Sequence, residues 1–97
     1  MTTIWKYPIE VVQEQVLQIP QAGRILAVQP QGAGVLCLWA KVNPDLPNEP
    51  RIIQIFGTGH QIPSSSKEYI GTVQQGPLVW HVFESFKPLA DTERRVE

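Results

Sequence analysis

Cysteine occurs once, at position 37, so the chain can hold no internal disulfide. Zinc prefers three or four ligands, and two histidines and that single thiol are all the His and Cys there are, so no metal or other cofactor is expected. Neither sign of charge prevails: eight Lys and Arg stand against nine Asp and Glu, for a formal net charge of -1. Duplex-binding proteins draw most of their affinity from a basic footprint that releases counterions, so broad nucleic-acid binding is not expected. Long apolar runs are missing as well. Stretches such as Val35 to Ala40 fall far short of the ~20 residues that cross a bilayer as a helix, and no basic region followed by an apolar one stands near the N-terminus. A membrane or secretion segment is therefore not expected. The expected location is cytoplasmic, consistent with a lone cysteine in a reducing compartment.

What is present is punctuation. Nine prolines and seven glycines divide 97 residues at intervals too short for long helices, and the pieces between them are rich in Ile, Val, Trp, Tyr and Phe. Seven short strands are predicted, at about 4–7, 15–19, 24–29, 35–42, 51–56, 69–74 and 78–83. The fold class that follows is all-β, a small antiparallel sandwich or partly open barrel. A chain of this length buries roughly 60–65% of its unfolded surface, enough for one core. The expected organisation is a single domain over residues 1–86, with a polar, frayed tail over 87–97.

Alternation within the strands assigns faces. In Val35–Val42 both parities are largely apolar, as in a central strand covered on both sides or closed into a barrel. In Arg51–Phe56, Ile53 and Ile55 form one apolar face, whereas Gln54 interrupts the face of Ile52 and Phe56, which is expected to be solvated or part of an interface. The predicted core comprises Val35, Leu36, Leu38, Trp39, Ile53, Ile55, Val73 and Val82. Gln29–Gly34 and Gln74–Pro77 read as hairpin turns, which supports an antiparallel meander. Three prolines in Asn43–Pro50 mark a surface excursion, and Glu10–Gln15, free of Gly and Pro, is the place where a short helical turn is predicted.

Four features carry candidate chemistry. Gly57-Thr58-Gly59-His60 directly follows a predicted strand. Its glycines permit close backbone approach to a ligand, and a hydroxyl and an imidazole stand beside them, so it could cradle an anion such as a phosphate. The plainer reading is a glycine-assisted turn, because no helix N-terminus follows. His60 and His81 are the candidate acid-base groups, with Thr58, Ser85 and Glu84 as their near neighbours in sequence, in no spacing that catalysis requires. Three tryptophans exceed what so small a core needs, so Trp5 or Trp80 is a candidate for stacking on a ligand or for an oligomer interface. Arg24, Arg51, Lys41 and Lys67 lie on or beside predicted strands, and two of them, with Arg24 and Arg51 the leading candidates, would complete an anion pocket if they converged on the Gly57–His60 loop. Ten glutamines offer uncharged donor-acceptor groups, or plain solubility.

Several strings in order, Ile4-Trp5-Lys6-Tyr7-Pro8, Ala22–Gln29, Leu38-Trp39-Ala40, Phe56–His60, Tyr69–Thr72 and Val79–Glu84, resemble a family of short tailed-bacteriophage proteins of unknown function. The resemblance covers about residues 4–84 and brings no activity or site residue with it. What it implies is setting: an accessory protein in the host cytoplasm, acting by binding rather than turnover. The resulting expectation is a non-enzymatic homo-oligomer that sequesters a small phosphate-containing ligand, such as a cyclic nucleotide immune signal. Gly57, Thr58, Gly59, His60, Arg51, Arg24, Trp5 and Trp80 would line its site. The alternatives are a protein-interaction module that blocks a host protein or serves in virion assembly, and a small hydrolase built on His60 or His81.

Overall fold

The computed structural model describes residues 1–32 and 34–86; residue 33 and residues 87–97, including the expected tail, lie outside the described residues. Seven strands make up the regular structure: β1 (Thr3–Ile9), β2 (Glu14–Pro20), β3 (Arg24–Pro30), β4 (Leu36–Val42), β5 (Asn48–Gly57), β6 (Lys67–Gln75) and β7 (Leu78–Ser85). Each coincides with a predicted strand. They form two antiparallel sheets, one of order β1-β4-β3 and one of order β2-β5-β7-β6. The architecture is a sandwich rather than a closed barrel.

The connectivity is not a meander. Only β3–β4 and β6–β7 are joined as adjacent hairpins, at the two predicted turns, while β1 to β2, β2 to β3 and β4 to β5 pass between the sheets. The β6–β7 turn is two residues long. Gly76, with φ 59°, takes the first central position, as a type II′ turn asks of glycine, and Pro77 fills the second; the twist of such a turn matches that of the flanking strands. At the β2–β3 crossing the left-handed position falls on Ala22 (φ 62°) rather than on Gly23. Gly23 is reserved for close approach, since a Cβ there would lie 2.8 Å from Ile19 Cγ2 and 2.9 Å from the Pro20 carbonyl oxygen.

The core lies between the sheets. Leu36, Leu38, Ala40 and Val42 of β4 meet Ile53 and Ile55 of β5, Val82 of β7 and Val73 of β6, and Ile9, Ile19 and Val28 complete the cluster. Two predicted core residues lie elsewhere. Val35 precedes β4 and is 43% exposed, and Trp39 is half-buried on the outward parity of β4, with Cys37 and Lys41. Only one face of β4 is covered by the other sheet, so the outward apolar residues of Val35–Val42 are accounted for by local packing. Cys37, for instance, is buried beside Gln31, whose Oε1 lies 3.7 Å from its Sγ.

β5 departs from expectation in the opposite sense. The Gln54 face is buried: Ile52, Gln54 and Phe56 all lie within the protein, because β5 sits between β2 and β7 and Phe56 packs edge-on against Phe83 (6.0 Å, 66°). The excursion after β4 is shorter than predicted. Asn48, Glu49 and Pro50 already belong to β5, paired with Pro20, Ile19 and Gln18 of edge strand β2. The Glu10–Gln15 segment forms no helical turn. The Gln15 amide bridges it instead, donating to the Glu10 carbonyl (2.7 Å) and accepting from the Glu10 N–H (3.1 Å), and so supplies locally the bonds a helix would have made.

Candidate functional site

β5 ends at Gly57, where the chain reverses. The His60 N–H donates to the Gly57 carbonyl (3.0 Å), and Gly59, with φ 88°, takes the left-handed position of the turn. The His60 imidazole then folds back over Gly57, whose N–H donates to its Nδ1 at 3.2 Å. Any larger residue at position 57 would displace this ring, since a Cβ there would come within 2.9 Å of His60 Cε1. With Nδ1 accepting, the neutral ring carries its proton on Nε2, and the ring presents a donor away from the turn.

Beside this turn lies a cleft of about 450 Å³. The connection Val11–Gln13 forms one wall, and the opposite side is made by Phe56, Gly57, His60, Gln61 and Trp80. Gln13 is fixed there because its carbonyl accepts the Ile55 N–H at 3.1 Å, extending the β2–β5 ladder into the connection. Trp80 stands opposite Gly57 in the β5–β7 register and is oriented by its indole N–H, which donates to Gln75 Oε1 (3.1 Å). On its other side the same turn borders a second hollow of about 380 Å³, lined by Thr58, His60, Pro77, Leu78 and Trp80. The walls combine aliphatic and aromatic surface with the amides of Gln13 and Gln61 and the imidazole of His60. Among the described residues, no charged side chain lines the first cleft.

The outer face of the four-stranded sheet carries a hydrogen-bonded row that sequence spacing did not suggest. The β5–β7–β6 register aligns Phe56, His81 and Thr72. His81 is held at both nitrogens, 2.8 Å from Thr58 Oγ1 and 3.0 Å from Thr72 Oγ1, and Thr72 is joined in turn to the Tyr69 hydroxyl at 2.5 Å. A bulge between Tyr69 and Gly71 shifts the β6 register here, so Thr72 could not be placed by counting alternate residues. Acyl-transfer catalysis would want a carboxylate behind the imidazole to stabilise its cation, and here that position is taken by a neutral hydroxyl. Among the described residues no group of His, Cys, Asp or Glu is arranged to hold a metal ion.

Five of the residues singled out from sequence are therefore brought together: Gly57, Thr58, Gly59, His60 and Trp80. Three are not. Arg51 points inward at the far end of β5, where its Nε and Nη2 grip the Glu84 carboxylate in a bidentate pair, Nη2 donating to Oε1 at 3.0 Å, and Nη1 donates to the Gly23 carbonyl at 2.7 Å. Glu84 is only 3% exposed. Its hydrogen bond raises the Arg51 pKa above its ordinary value, against the opposing effect of burial, with the charges of Glu84, Glu49 and Glu68 adding in the same direction. Arg24 lies at the start of β3, opposite Lys41. Trp5 is on edge strand β1 opposite Ala40 and is 41% exposed. The contributions of Val11–Gln13 and Gln61 to the cleft were missed, because only the crossing between sheets carries that connection to the end of β5.

A family match spans residues 1–92, and so includes all seven strands and the cleft. The chain belongs to that family, described as Domain of unknown function (DUF7352). No curated protein and no solved structure matches the chain. The DUF7352 match runs past Phe86, the expected end of the domain, into the segment expected to be a polar tail. No helix among the described residues is long and apolar enough to cross a membrane.

Proposed function

We propose that this protein is a small-ligand-binding β-sandwich whose cleft beside the Gly57–His60 turn takes a planar, uncharged heterocycle of about nucleoside size. One observation carries the reading: a preformed cleft of about 450 Å³ in which apolar and aromatic walls enclose a few polar groups, among them an imidazole whose orientation is fixed by its own turn. That combination, at that size, is what small-molecule sites use, the walls for affinity and the polar groups for orientation. Trp80 and Phe56 offer aromatic surface, His60 Nε2–H a donor, and Gln13 and Gln61 both donors and acceptors.

Among the described residues the phosphate of the expected ligand meets no cation in the cleft, because Arg51 is committed to Glu84 and Arg24 stands on the other sheet. The nucleoside end of such a ligand is what this geometry fits. A phage setting, and sequestration of an immune signal within it, extends the reading from the sequence resemblance and not from the geometry. Isothermal titration with nucleosides and their 5′-monophosphates tests the assignment. Binding of a nucleoside, at least as tight as that of its monophosphate and lost in His60→Ala and Trp80→Leu variants that stay folded, supports it. Silence across the panel, or affinity that grows with phosphate number, overturns it.

A second reading, a protein-interaction module, is favoured by the exposed Val11 and Val12 on one side of the cleft and Leu78 beside the adjoining hollow. Charge substitution at Val12 would abolish partner capture under that reading and leave nucleoside binding measurable.

A further inference from the structure

The three-stranded sheet has one face on the core and one face outward, and the outward face is chemically one-sided. Register places Ile4, Lys41 and Arg24 in one row across β1, β4 and β3, Lys6, Trp39 and Ala27 in the next, and Pro8, Cys37 and Gln29 in the third. No carboxylate occupies any of these positions. Lys6, Lys41 and Arg24 are exposed, and none of them forms an ion pair among the described residues. The described carboxylates are engaged or placed elsewhere: Glu49 and Glu84 on Arg51, Asp45 near the N-terminal ammonium at 3.7 Å, Glu14 on Gln54, and Glu10 in the β1–β2 connection. Glu68, on β6, is the one that shares a groove with Arg24.

Arg24 and Lys41 stand directly opposite each other, an arrangement that destabilises a sheet unless an anion lies over it. Lys6 is posed by Gln31, to whose Oε1 its amine donates at 2.6 Å. Between the cations sits Trp39, half-buried, with its ring on the outward parity. Strand spacing of about 4.8 Å and a two-residue step of about 6.8 Å put the backbone positions of all three cations within roughly 12 Å of one another around that ring. Phosphates bound at such positions would leave an unstacked base to lie on the indole, the combination of charge and aromatic surface by which single strands are held. A duplex offers no such base, and the face carries no helix to enter a groove.

We propose that the outward face of the three-stranded sheet, through Lys6, Lys41, Arg24 and Trp39, binds a short single-stranded nucleic acid. The site is separate from the cleft beside His60. The overall net charge of -1 is compatible with it because the face concentrates cations that the whole chain balances elsewhere.

The test is fluorescence anisotropy of a labelled oligothymidylate of about ten nucleotides, titrated with the full chain between about 20 mM and about 150 mM salt. Three phosphate contacts predict a log-log salt slope of about -2. Lys41→Gln and Arg24→Gln should each reduce its magnitude by about 0.7, and Trp39→Leu should weaken binding by about fivefold to a hundredfold. Trp39 also contributes packing, so the two exposed-cation variants decide. Absence of binding at the lowest salt, a slope unchanged in both cation variants, or equal affinity for a duplex of the same length overturns the proposal.

Discussion

Replacing Arg51 by methionine tests whether this arginine is a strut of the fold rather than a waiting ligand group. The guanidinium makes two bonds to the Glu84 carboxylate and one to the Gly23 carbonyl, and its side chain is 15% exposed. Methionine keeps the bulk of the stem and removes the charge, which leaves the Glu84 carboxylate buried, with Glu49 and Ser85 the other polar side chains that line the same hollow among the described residues. Removing one partner of a buried pair costs about 3–5 kcal/mol. The lower end applies here, since the pair borders an open hollow of about 450 Å³ that admits water. A loss of about 3 kcal/mol in a domain of this size lowers Tm by about 12–24 °C. The double variant Arg51→Met/Glu84→Leu removes both charges and should recover most of that loss, because the cost of an uncompensated buried carboxylate disappears with it. Thermal unfolding followed by far-UV circular dichroism, with the four members of the cycle under one buffer, measures the coupling directly. If Arg51→Met shifts Tm by less than about 3 °C, or if the double variant is the sum of the singles, the pair is not structural and the reasoning fails.

Other consequences are sharper in sign than in size. The Tyr7 hydroxyl is buried with no hydrogen-bond partner among the described residues, so Tyr7→Phe should be neutral or stabilising by about 1 kcal/mol in chemical denaturation, and a loss above about 2 kcal/mol would expose a missed partner. Burial also raises the Tyr7 pKa, so the folded state keeps its proton longer than the unfolded state does. The stability this confers is complete below the ordinary value near 10 and is lost as pH rises through the folded value. Denaturation midpoints of the wild type should therefore fall more steeply above about pH 10 than those of Tyr7→Phe. Gly57→Ala must push the His60 ring off its seat, and the His60 side-chain resonances should shift while those of His81 remain, as read by NMR of the imidazole protons. Gly23→Ala forces a methyl against Ile19 Cγ2 and the Pro20 carbonyl oxygen, and should cost about 1–3 kcal/mol in urea unfolding.

The all-β class, the seven strands and the two hairpins were legible because they rest on local chemistry. β-branched and aromatic runs favour extended backbone, and Gly76-Pro77 dictates its turn without help from distant residues. The candidate site was half legible for the same reason. Gly57-Thr58-Gly59-His60 is a turn whose glycines are needed within the turn itself, one for the left-handed backbone and one for the imidazole laid over it.

What was not legible depends on which strands become neighbours. Gln54 looks like a surface residue in sequence and is buried because β5 lies between β2 and β7, and Trp39 looks like core and faces outward because β4 presents only one face to the other sheet. His81 finds Thr58 and Thr72 through a register that a bulge displaces. Arg51 and Arg24 could both be read as anion ligands of the Gly57–His60 turn until the sandwich set Glu84 against Arg51 and placed Arg24 on the other sheet, opposite Lys41. Strand propensity and turn geometry act within a few residues, so composition and spacing determined them. Pairing order, burial and charge partnership join residues tens of positions apart, and only the closure of the two sheets on one another decided them.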